Sequence, residues 1–249
     1  TTRAELAQKS VDAILDFGEK GFPGILVETI AIFINNLAAP ANTKVFSLTH
    51  RLHLTQPQAY IFDPELPYWI IYRNQLFDSV CRKLDFDVFE VFRDRQLTNK
   101  LLSSSGELRV LKSRNLSDDG KAILDIPGYD SYISYAAAKP LSVFQYLDAP
   151  NVYLTPNMTY KPRMMKKPPH CVVNGSLAIL IPKGGIVPTE KQLAYFSSEE
   201  YRAFYQIARN FQTRSLNVDA CSVFFYGLLR DEAKPAPEKF DTSVQLSFL

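Results

Sequence analysis

Cysteine, histidine and glycine are scarce in this chain of 249 residues, which has three, three and ten of them. Cys81, Cys171 and Cys221 are odd in number, far apart and free of any Cys-x-x-Cys spacing, which argues against a disulfide framework and against a zinc site. This cysteine usage fits the reducing cytoplasm. No leader sequence and no uncharged run of about 18 apolar residues occurs, so we expect a cytoplasmic, soluble protein.

What is present is enough apolar surface for sizeable cores, with 46% hydrophobic and 12% aromatic residues. The length allows one large domain or two modest ones. Net charge is only +2, but its distribution is uneven. Residues 1–138 contain 15 Lys and Arg against 17 Asp and Glu, whereas residues 139–230 contain 11 against 5. A local basic surplus favours a polyanionic partner, although it is also typical of ordinary solvated surface.

The first third of the chain predicts a sheet. Residues 11–17, 27–34 and 44–48 are rich in β-branched and apolar side chains and are separated by turn residues. Three strands with little helix of their own cannot cover both sheet faces. We therefore expect this segment to be the edge of a larger sheet that is completed elsewhere.

Later segments alternate between helix and strand patterns. Residues 67–84 follow helical spacing, and a short helix is predicted from Lys139-Pro140 to Leu147. Residues 151–154 predict a strand. Residues 172–173 and 176–181 predict a hairpin around Asn174-Gly175, a dipeptide that favours tight turns. The capping-box pattern Ser197-x-x-Glu200, followed by Tyr201, Phe204, Tyr205 and Ala208 on one helical face, predicts a helix over residues 198–210.

One polar stretch combines arginines with amides beside an apolar segment. It covers residues 209–219, and similar arrangements occur at residues 92–100 and 109–116. Arg carries five donors in a plane and Asn a donor with an acceptor, which are the groups that clasp guanine and adenine edges. Residues 161–167 add four cations in seven positions, among prolines that limit backbone freedom. Such a loop is suited to phosphate contacts.

These segments resemble a known family. Residues 14–17 and 22–33 are similar to the last strands of the methylase domain in restriction-modification N6-adenine DNA methyltransferases. Residues 92–100, 109–116 and 209–227 resemble the target recognition domain of the same family. The resemblance implies an α+β fold, with a mixed β-sheet unit followed by an α/β target-recognition-like domain. The implied boundaries are edge strands at 1–66, a linking helix at 67–85, the recognition domain at 86–230 and a tail at 231–249.

The resemblance implies recognition of double-stranded DNA, but not catalysis by this chain. The family flips an adenine from the duplex and methylates it with S-adenosylmethionine at an Asn/Asp-Pro-Pro-Tyr/Phe motif. Here the only Pro-Pro pair, Pro168-Pro169, follows Lys167 and precedes His170, and no glycine motif has the strand-to-helix context of a cofactor site. We therefore expect no catalytic residue, metal or cofactor in this chain. S-adenosylmethionine and a catalytic methyltransferase domain or subunit belong to the complete enzyme.

The predicted DNA-binding residues fall into three groups. Backbone contacts are assigned to the basic loop, and base reading to arginines and asparagines, with further contacts beside them. The backbone group is Lys161, Arg163, Lys166 and Lys167, the reading group is Arg93, Arg95, Arg114, Asn115, Arg214 and Asn217, and the neighbouring group is Lys112, Arg209 and Asn210.

Two other functions remain open from the sequence. One is a type II restriction endonuclease or fused restriction-methylation enzyme, since Asp219 with Glu232-Ala233-Lys234 has the composition of a nuclease triplet. The Glu-x-Lys lies in a proline-rich tail, however, which disfavours a core nuclease site. The other is a protein-interaction module that uses the apolar opening strands. His50 and His53 lack acidic or thiol neighbours at ligand spacing and are interpreted as surface residues.

Overall fold

The computed structural model describes residues 2–212 and 216–231, which form an α+β protein with parallel and antiparallel strand pairs. They divide into two compact units. Unit 1 comprises residues 2–82 and 207–212, and unit 2 comprises residues 83–206 and 216–231. The first boundary along the chain falls inside the segment that we predicted as a linking helix.

Unit 1 is built on one sheet with the strand order β2-β1-β3-β4. β1 pairs antiparallel with β2 and parallel with β3, and β3 pairs antiparallel with β4. The three predicted strands are confirmed, and β4 is an addition. The elements of unit 1 are α1 (Thr2–Ala7), β1 (Ser10–Gly18), β2 (Thr29–Asn35), β3 (Asn42–Ser47), β4 (Leu52–Pro57), α2 (Gln58–Ile61) and α3 (Gln75–Lys83). Lys83, the last residue of α3, is the first residue of unit 2.

The helix predicted from residue 67 begins only at Gln75. Asn74 accounts for this start, because its side-chain oxygen accepts a hydrogen bond from the backbone N–H of Phe77 at 3.0 Å. The preceding residues Ile70, Ile71 and Tyr72 are buried but are not helical. Their apolar spacing therefore reflected burial in the core of unit 1 and not a helical face.

β2 is an edge strand of this sheet with apolar side chains in solvent. Ile30 is 46% exposed and Phe33 55%, and Leu26 in the segment before β2 is 77% exposed. An uncovered edge strand normally carries charge, proline or a bulge that prevents further pairing. Within the described residues no further strand pairs with the outer edge of β2.

Residues 207–212 return to unit 1 and are fixed there by side-chain hydrogen bonds. Tyr68 donates its hydroxyl hydrogen to the carbonyl oxygen of Ala208 at 2.8 Å. The amide of Asn210 donates to the carbonyl of Trp69 and accepts from the N–H of Ile71, both at 2.9 Å. Asn210 thereby holds two points of a non-helical segment together, in the left-handed conformation (φ 48°) that asparagine tolerates.

An aromatic and polar cluster follows at the end of this return segment. The ring of Phe211 lies 4.6 Å from that of His50 and 5.2 Å from that of Tyr72, between centroids. The Tyr72 hydroxyl donates to the buried carboxylate of Asp16, which also accepts from the N–H of Gly18 at 2.8 Å. Partial burial lowers the pKa of His50, and the negative charge of Asp16 opposes that effect.

Unit 2 contains three sheets in its described residues, with orders β10-β9-β12-β6, β11-β7-β8 and β13-β5. Their strands are β5 (Leu84–Asp85), β6 (Phe89–Phe92), β7 (Leu108–Leu111), β8 (Ser131–Ile133), β9 (Tyr153–Pro156), β10 (Met165–Lys166), β11 (Cys171–Val173), β12 (Leu177–Pro182) and β13 (Leu228–Leu229). The helices are α4 (Tyr135–Ala138), α5 (Glu190–Tyr195) and α6 (Glu199–Ala208), and 3-10 turns occupy Asn99–Leu101, Ser113–Asn115, Ser142–Tyr146, Lys183–Gly185 and Ser222–Phe225.

The hydrophobic core of unit 2 lies between two of these sheets. β12 is the strand between β9 and β6 in its sheet and is buried along almost its whole length, and its Leu177 and Ile179 belong to the buried cluster. Val110 of β7, Leu154 of β9 and Val172 of β11 belong to the same buried cluster. The predicted strand at 151–154 is confirmed with a shift to Tyr153–Pro156, and the short helix predicted up to Leu147 is a 3-10 turn at Ser142–Tyr146.

The hairpin predicted around Asn174-Gly175 is wrong. β11 pairs with β7 in one sheet, whereas β12 pairs with β6 and β9 in another, so the two strands do not pair with each other. The backbone N–H of Asn174 donates to the carbonyl of Leu111, which continues the pairing of β11 with β7, and the carbonyl of Asn174 accepts from the N–H of Leu177 at 3.0 Å. The chain therefore turns at Asn174-Gly175, but the turn leads into a different sheet. Gly175 also lacks the positive φ that tight hairpin turns require.

The helix predicted over residues 198–210 is confirmed as α6, but its cap differs. Ser198 accepts from the N–H of Tyr201 at 3.1 Å, whereas Ser197 donates its hydroxyl to the carbonyl of Asp119. Glu200 is not part of a capping box. It forms an ion pair with Lys83 at 2.5 Å.

Candidate nucleic-acid interface

Three residues between β11 and β12 connect the segments that carry the predicted DNA contacts. We call Asn174, Gly175 and Ser176 the hub loop. The hydroxyl of Ser176 accepts from the N–H of Ser113 at 2.9 Å, and the carbonyl of Gly175 accepts from the side-chain amide of Asn157 at 3.0 Å. The hub loop thereby joins the turn at 113–115 to the segment after β9.

Gly175 also lies against the segment after β6. A Cβ atom at this position would be 2.7 Å from the carbonyl oxygen of Asp94, which is closer than real Cβ contacts come. Glycine is therefore required here by the close approach of two backbones. Arg93 and Arg95 are the neighbours of Asp94, so this approach places both arginines beside the hub loop.

Asn157 adds a fourth segment to the hub loop. This residue is 4% exposed, and its amide also donates to the side-chain oxygen of Asn217 at 2.5 Å. Its own side-chain oxygen accepts from the N–H of Val218 at 3.0 Å. The hub loop therefore brings together residues 93–95, 112–116, 157–163 and 216–218, although they are far apart in the sequence.

The arginines beside Asp94 differ from it in exposure. Asp94 is 6% exposed and accepts from the N–H of Leu97 at 2.8 Å, which fixes the local turn. Arg95 is exposed and Arg93 is half-buried. Neither guanidinium forms a hydrogen bond or an ion pair with the residues that the structure describes, so their donors are available to a ligand.

Asn115 is fully buried and holds the 3-10 turn Ser113–Asn115 in place. Its side-chain oxygen accepts from the N–H of Lys112, and its amide donates to the carbonyl of Leu124 and the carboxylate of Asp130. Lys112 donates to the carbonyl of Tyr129 and to the hydroxyl of Ser131. Partial burial lowers the pKa of Lys112, which Asp130 opposes and the charge of Arg114 reinforces.

Arg163 also stabilises the 3-10 turn at Ser113–Asn115. It is 7% exposed, and its guanidinium donates to the carbonyls of Lys161, Ser113 and Leu116 at 3.0 to 3.2 Å. Burial lowers the pKa of Arg163, and nearby Asp118 opposes that effect. A buried side chain that donates hydrogen bonds to three backbone carbonyls stabilises the fold. Contact with DNA would require Arg163 to break these hydrogen bonds.

The other cations of the basic loop also divide by burial. Lys167 is 4% exposed and donates to the carbonyls of Leu147 and Pro168 at 2.7 and 3.0 Å. Burial lowers its pKa. Lys166 is exposed, and Lys161 is exposed but forms an ion pair with Asp118 at 2.6 Å.

The three remaining predicted residues lie outside unit 2 or outside the described residues. Arg209 is 3% exposed and belongs to unit 1. Asn210 also belongs to unit 1, where its side chain bonds to the backbone of the segment at 69–71. Arg214 lies outside the described residues.

Sequence reasoning missed the residues that assemble this region. Asn157 and Ser176 connect its segments through side-chain hydrogen bonds, and no local pattern distinguishes them from loop residues. Tyr129 is a further omission. Its ring lies under two cations, with the Lys112 ammonium at 3.8 Å and the Arg114 guanidinium carbon at 4.6 Å from the centroid.

The chain gives no sign of a metal centre in residues 2–212 and 216–231, where no three His, Cys, Asp or Glu side chains are grouped suitably for an ion. Among the same residues, no helix is long and apolar enough to cross a membrane. No protein-family model matches the sequence, and no curated protein matches it either.

Proposed function

We propose that this chain recognises a specific double-stranded DNA sequence as part of a restriction-modification adenine-specific DNA methyltransferase. The observation that carries the proposal is the hub loop, which holds together four segments bearing arginine, lysine and asparagine side chains. Convergence of such groups from separated segments provides the several positioned donors that a base sequence requires. A merely solvated basic surface needs no such internal scaffold.

Exposure divides the predicted residues into contacts and supports. Arg95, Arg114 and Lys166 are exposed and form no ion pair with a described residue, and Arg93 is half-buried. With the exposed Lys161 they are the proposed contacts. Asn217 was predicted as a base reader, but its side-chain oxygen accepts from Asn157, so we assign it to support. Lys112, Asn115, Arg163 and Lys167 use their polar groups within unit 2, so we assign them to support of the contacting loops.

The finer division of the fold follows the same proposal. Unit 1 is the end of a methylase domain, and unit 2 is the target recognition domain. The uncovered apolar edge of β2 supports this assignment, since a strand that exposes Ile30 and Phe33 is suited to pairing with a further strand of a larger sheet. The proposed partner at this edge is the catalytic methyltransferase domain or subunit.

Methyl transfer from S-adenosylmethionine to adenine N6 is assigned to a part outside this chain. In the only Pro-Pro segment, the position before the prolines is Lys167, an ammonium that donates to two carbonyls. An ammonium has no acceptor for the amino group of adenine. The segment therefore does not fit the adenine-methylating motif.

Selection from random duplexes tests the recognition proposal. The full chain is incubated with a pool of randomised double-stranded DNA, and the retained molecules are sequenced. We expect enrichment of a short sequence, with affinity that falls as salt rises because phosphate contacts release counterions. Binding to every duplex at the non-specific level, about 10⁻⁴–10⁻⁶ M at physiological salt, would contradict the proposal.

Paired variants check where the contacts lie. Lys166→Ala should weaken binding to all sequences alike and lower the salt slope by about one unit. Lys44→Ala is the matched control, since Lys44 is an exposed lysine of β3 in unit 1. An equal loss in both variants would show that Lys166 contributes no more than any exposed lysine and would contradict its assignment as a contact.

The partner proposal has a separate test. We expect the coding sequence that adjoins this chain, or a neighbouring gene, to encode an Asn-Pro-Pro-Tyr motif and a cofactor motif. Co-expression of that part should give a stable complex, which Phe33→Lys should weaken because it places a charge on β2. A complex unaffected by Phe33→Lys would exclude β2 as the contact.

A further inference from the structure

Arg114 differs from the other exposed cations of unit 2 because a tyrosine ring lies beneath its guanidinium. The guanidinium carbon is 4.6 Å from the centroid of the Tyr129 ring. No described residue accepts a hydrogen bond from this side chain or forms an ion pair with it. All five of its donors are thus available while aromatic contact limits its freedom.

The backbone on both sides of Arg114 is fixed by buried or half-buried groups. Ser113 donates its N–H to Ser176, and the carbonyls of Ser113 and Leu116 accept from Arg163. Asn115, which is fully buried, closes the same turn. A donor group on such a support loses little conformational entropy when it binds.

The ring itself is held from its backbone. The carbonyl of Tyr129 accepts from the Lys112 ammonium, and its N–H donates to the carbonyl of Ile126 at 3.0 Å. The hydroxyl of Tyr129 has no hydrogen-bond partner among the described residues. The ring, and not the hydroxyl, is therefore the part that supports Arg114.

The planar guanidinium matches one base above the others. Guanine presents two acceptors, O6 and N7, side by side in the major groove, and arginine bonds to both at once. Arg95 carries the same group, but no described aromatic ring or hydrogen bond orients it. Among the described residues of unit 2, Arg114 is consequently the exposed arginine whose donors are unpaired and whose guanidinium is oriented by a neighbouring side chain.

We propose that Arg114, positioned by the ring of Tyr129, is a specificity-determining residue that reads one guanine in the major groove of the target duplex. This inference rests on the proposed DNA recognition. It adds the base that is read, the residue that reads it and the residue that positions the reader.

The experiment repeats the duplex selection with four variants of the full chain. We expect the unmodified chain to prefer guanine at one position by about 5- to 150-fold, which corresponds to the discrimination of a bidentate contact. Arg114→Ala should abolish the preference at that position and leave the others intact. Arg114→Lys should also lose most of it, because an ammonium is a point charge without the planar pair of donors.

The Tyr129 variants separate positioning from general structure. Tyr129→Phe retains the ring and should retain the preference, whereas Tyr129→Leu should reduce it at the same position only. Thermal unfolding by circular dichroism verifies that each variant is folded. Loss in Tyr129→Leu with rescue in Tyr129→Phe is a result that simple destabilisation does not give.

The outcomes distinguish this inference from the proposed function. If the unmodified chain selects no sequence, the proposed function fails, and this inference fails with it. If it selects a sequence that Arg114→Ala selects equally well, recognition stands and the inference is overturned. A uniform loss of affinity with a smaller salt slope would identify Arg114 as a phosphate contact and would also overturn it.

Discussion

Arg114 and Arg163 belong to the same unit, but their identical side chains differ in burial and in hydrogen bonding. Arg114 is exposed, and its donors bond to no described residue, whereas Arg163 is 7% exposed and bonds to three backbone carbonyls. Two of those carbonyls belong to the turn that presents Arg114. Arginines from two separate segments therefore serve as the proposed contact and as its support, and their burial distinguishes them.

The largest expected effect comes from removal of the support. Arg163→Met keeps an apolar stem but leaves three carbonyls without their donor, so we expect the free energy of unfolding of unit 2 to fall by about 3 kcal/mol. Denaturant unfolding followed by circular dichroism measures the change. Arg114→Met is the matched control, and its change should stay below about 0.5 kcal/mol. Equal changes in the free energy of unfolding of the two variants would contradict the assignment of Arg163 to support and of Arg114 to contact.

The next effect concerns the amide inside the turn. Asn115→Ala removes the bonds to Lys112, Leu124 and Asp130 from a fully buried site, and we expect a loss of about 2 kcal/mol. Asn99→Ala, at an exposed asparagine in another 3-10 turn, should change stability by less than about 0.5 kcal/mol. A loss in Asn115→Ala as small as in this control would mean that the turn does not depend on its side chain.

A pH-dependent effect is expected at Lys167. Burial lowers its pKa in the folded chain below the ordinary value of 10.5, so the unfolded chain binds more protons in the interval between the two values. Stability should therefore rise with pH through that interval and fall as pH decreases through the folded pKa. Unfolding of the unmodified chain and of Lys167→Met, compared between pH 8 and 10.5, measures the difference. A difference that is independent of pH would contradict the burial of a charged lysine.

The smallest effect belongs to the exposed pair of Lys161 and Asp118. The hydrogen bond from Lys161 is the main cause that lowers the pKa of Asp118, so Lys161→Met should return that pKa towards 3.8. Stability should change by less than about 1 kcal/mol, because both side chains are solvated. An NMR titration of the carboxyl group gives the pKa. Lys166→Met, at an exposed lysine without an acidic partner among the described residues, should leave it unchanged.

The sequence predicted those elements whose pattern is local. The apolar segment at residues 11–17, bounded by turn residues, predicted β1, and the spacing of Tyr201, Phe204 and Tyr205 predicted α6. Sequence-based prediction failed where contacts between distant segments determine the strand pairing. The Asn174-Gly175 pair does lie in a turn, but β11 pairs with β7 and β12 pairs with β9, so the turn closes no hairpin.

The candidate site shows the same limit. Clustering of cations in residues 161–167 was visible in the sequence, but their burial was not. Arg163 is buried where carbonyls about 50 positions earlier in the chain face it, and Lys167 where the carbonyl of Leu147 accepts a hydrogen bond from its ammonium. Hydrogen bonds between distant segments have no signature in local composition.

The uncovered edge of β2 has a practical consequence for handling this chain. A strand with exposed Ile30 and Phe33 and no neighbour on its outer edge among the described residues is a template for stacking of identical molecules. Concentrated preparations should consequently form insoluble material more readily than dilute ones. Phe33→Lys should delay the appearance of turbidity on storage, because it places a charge on the exposed strand.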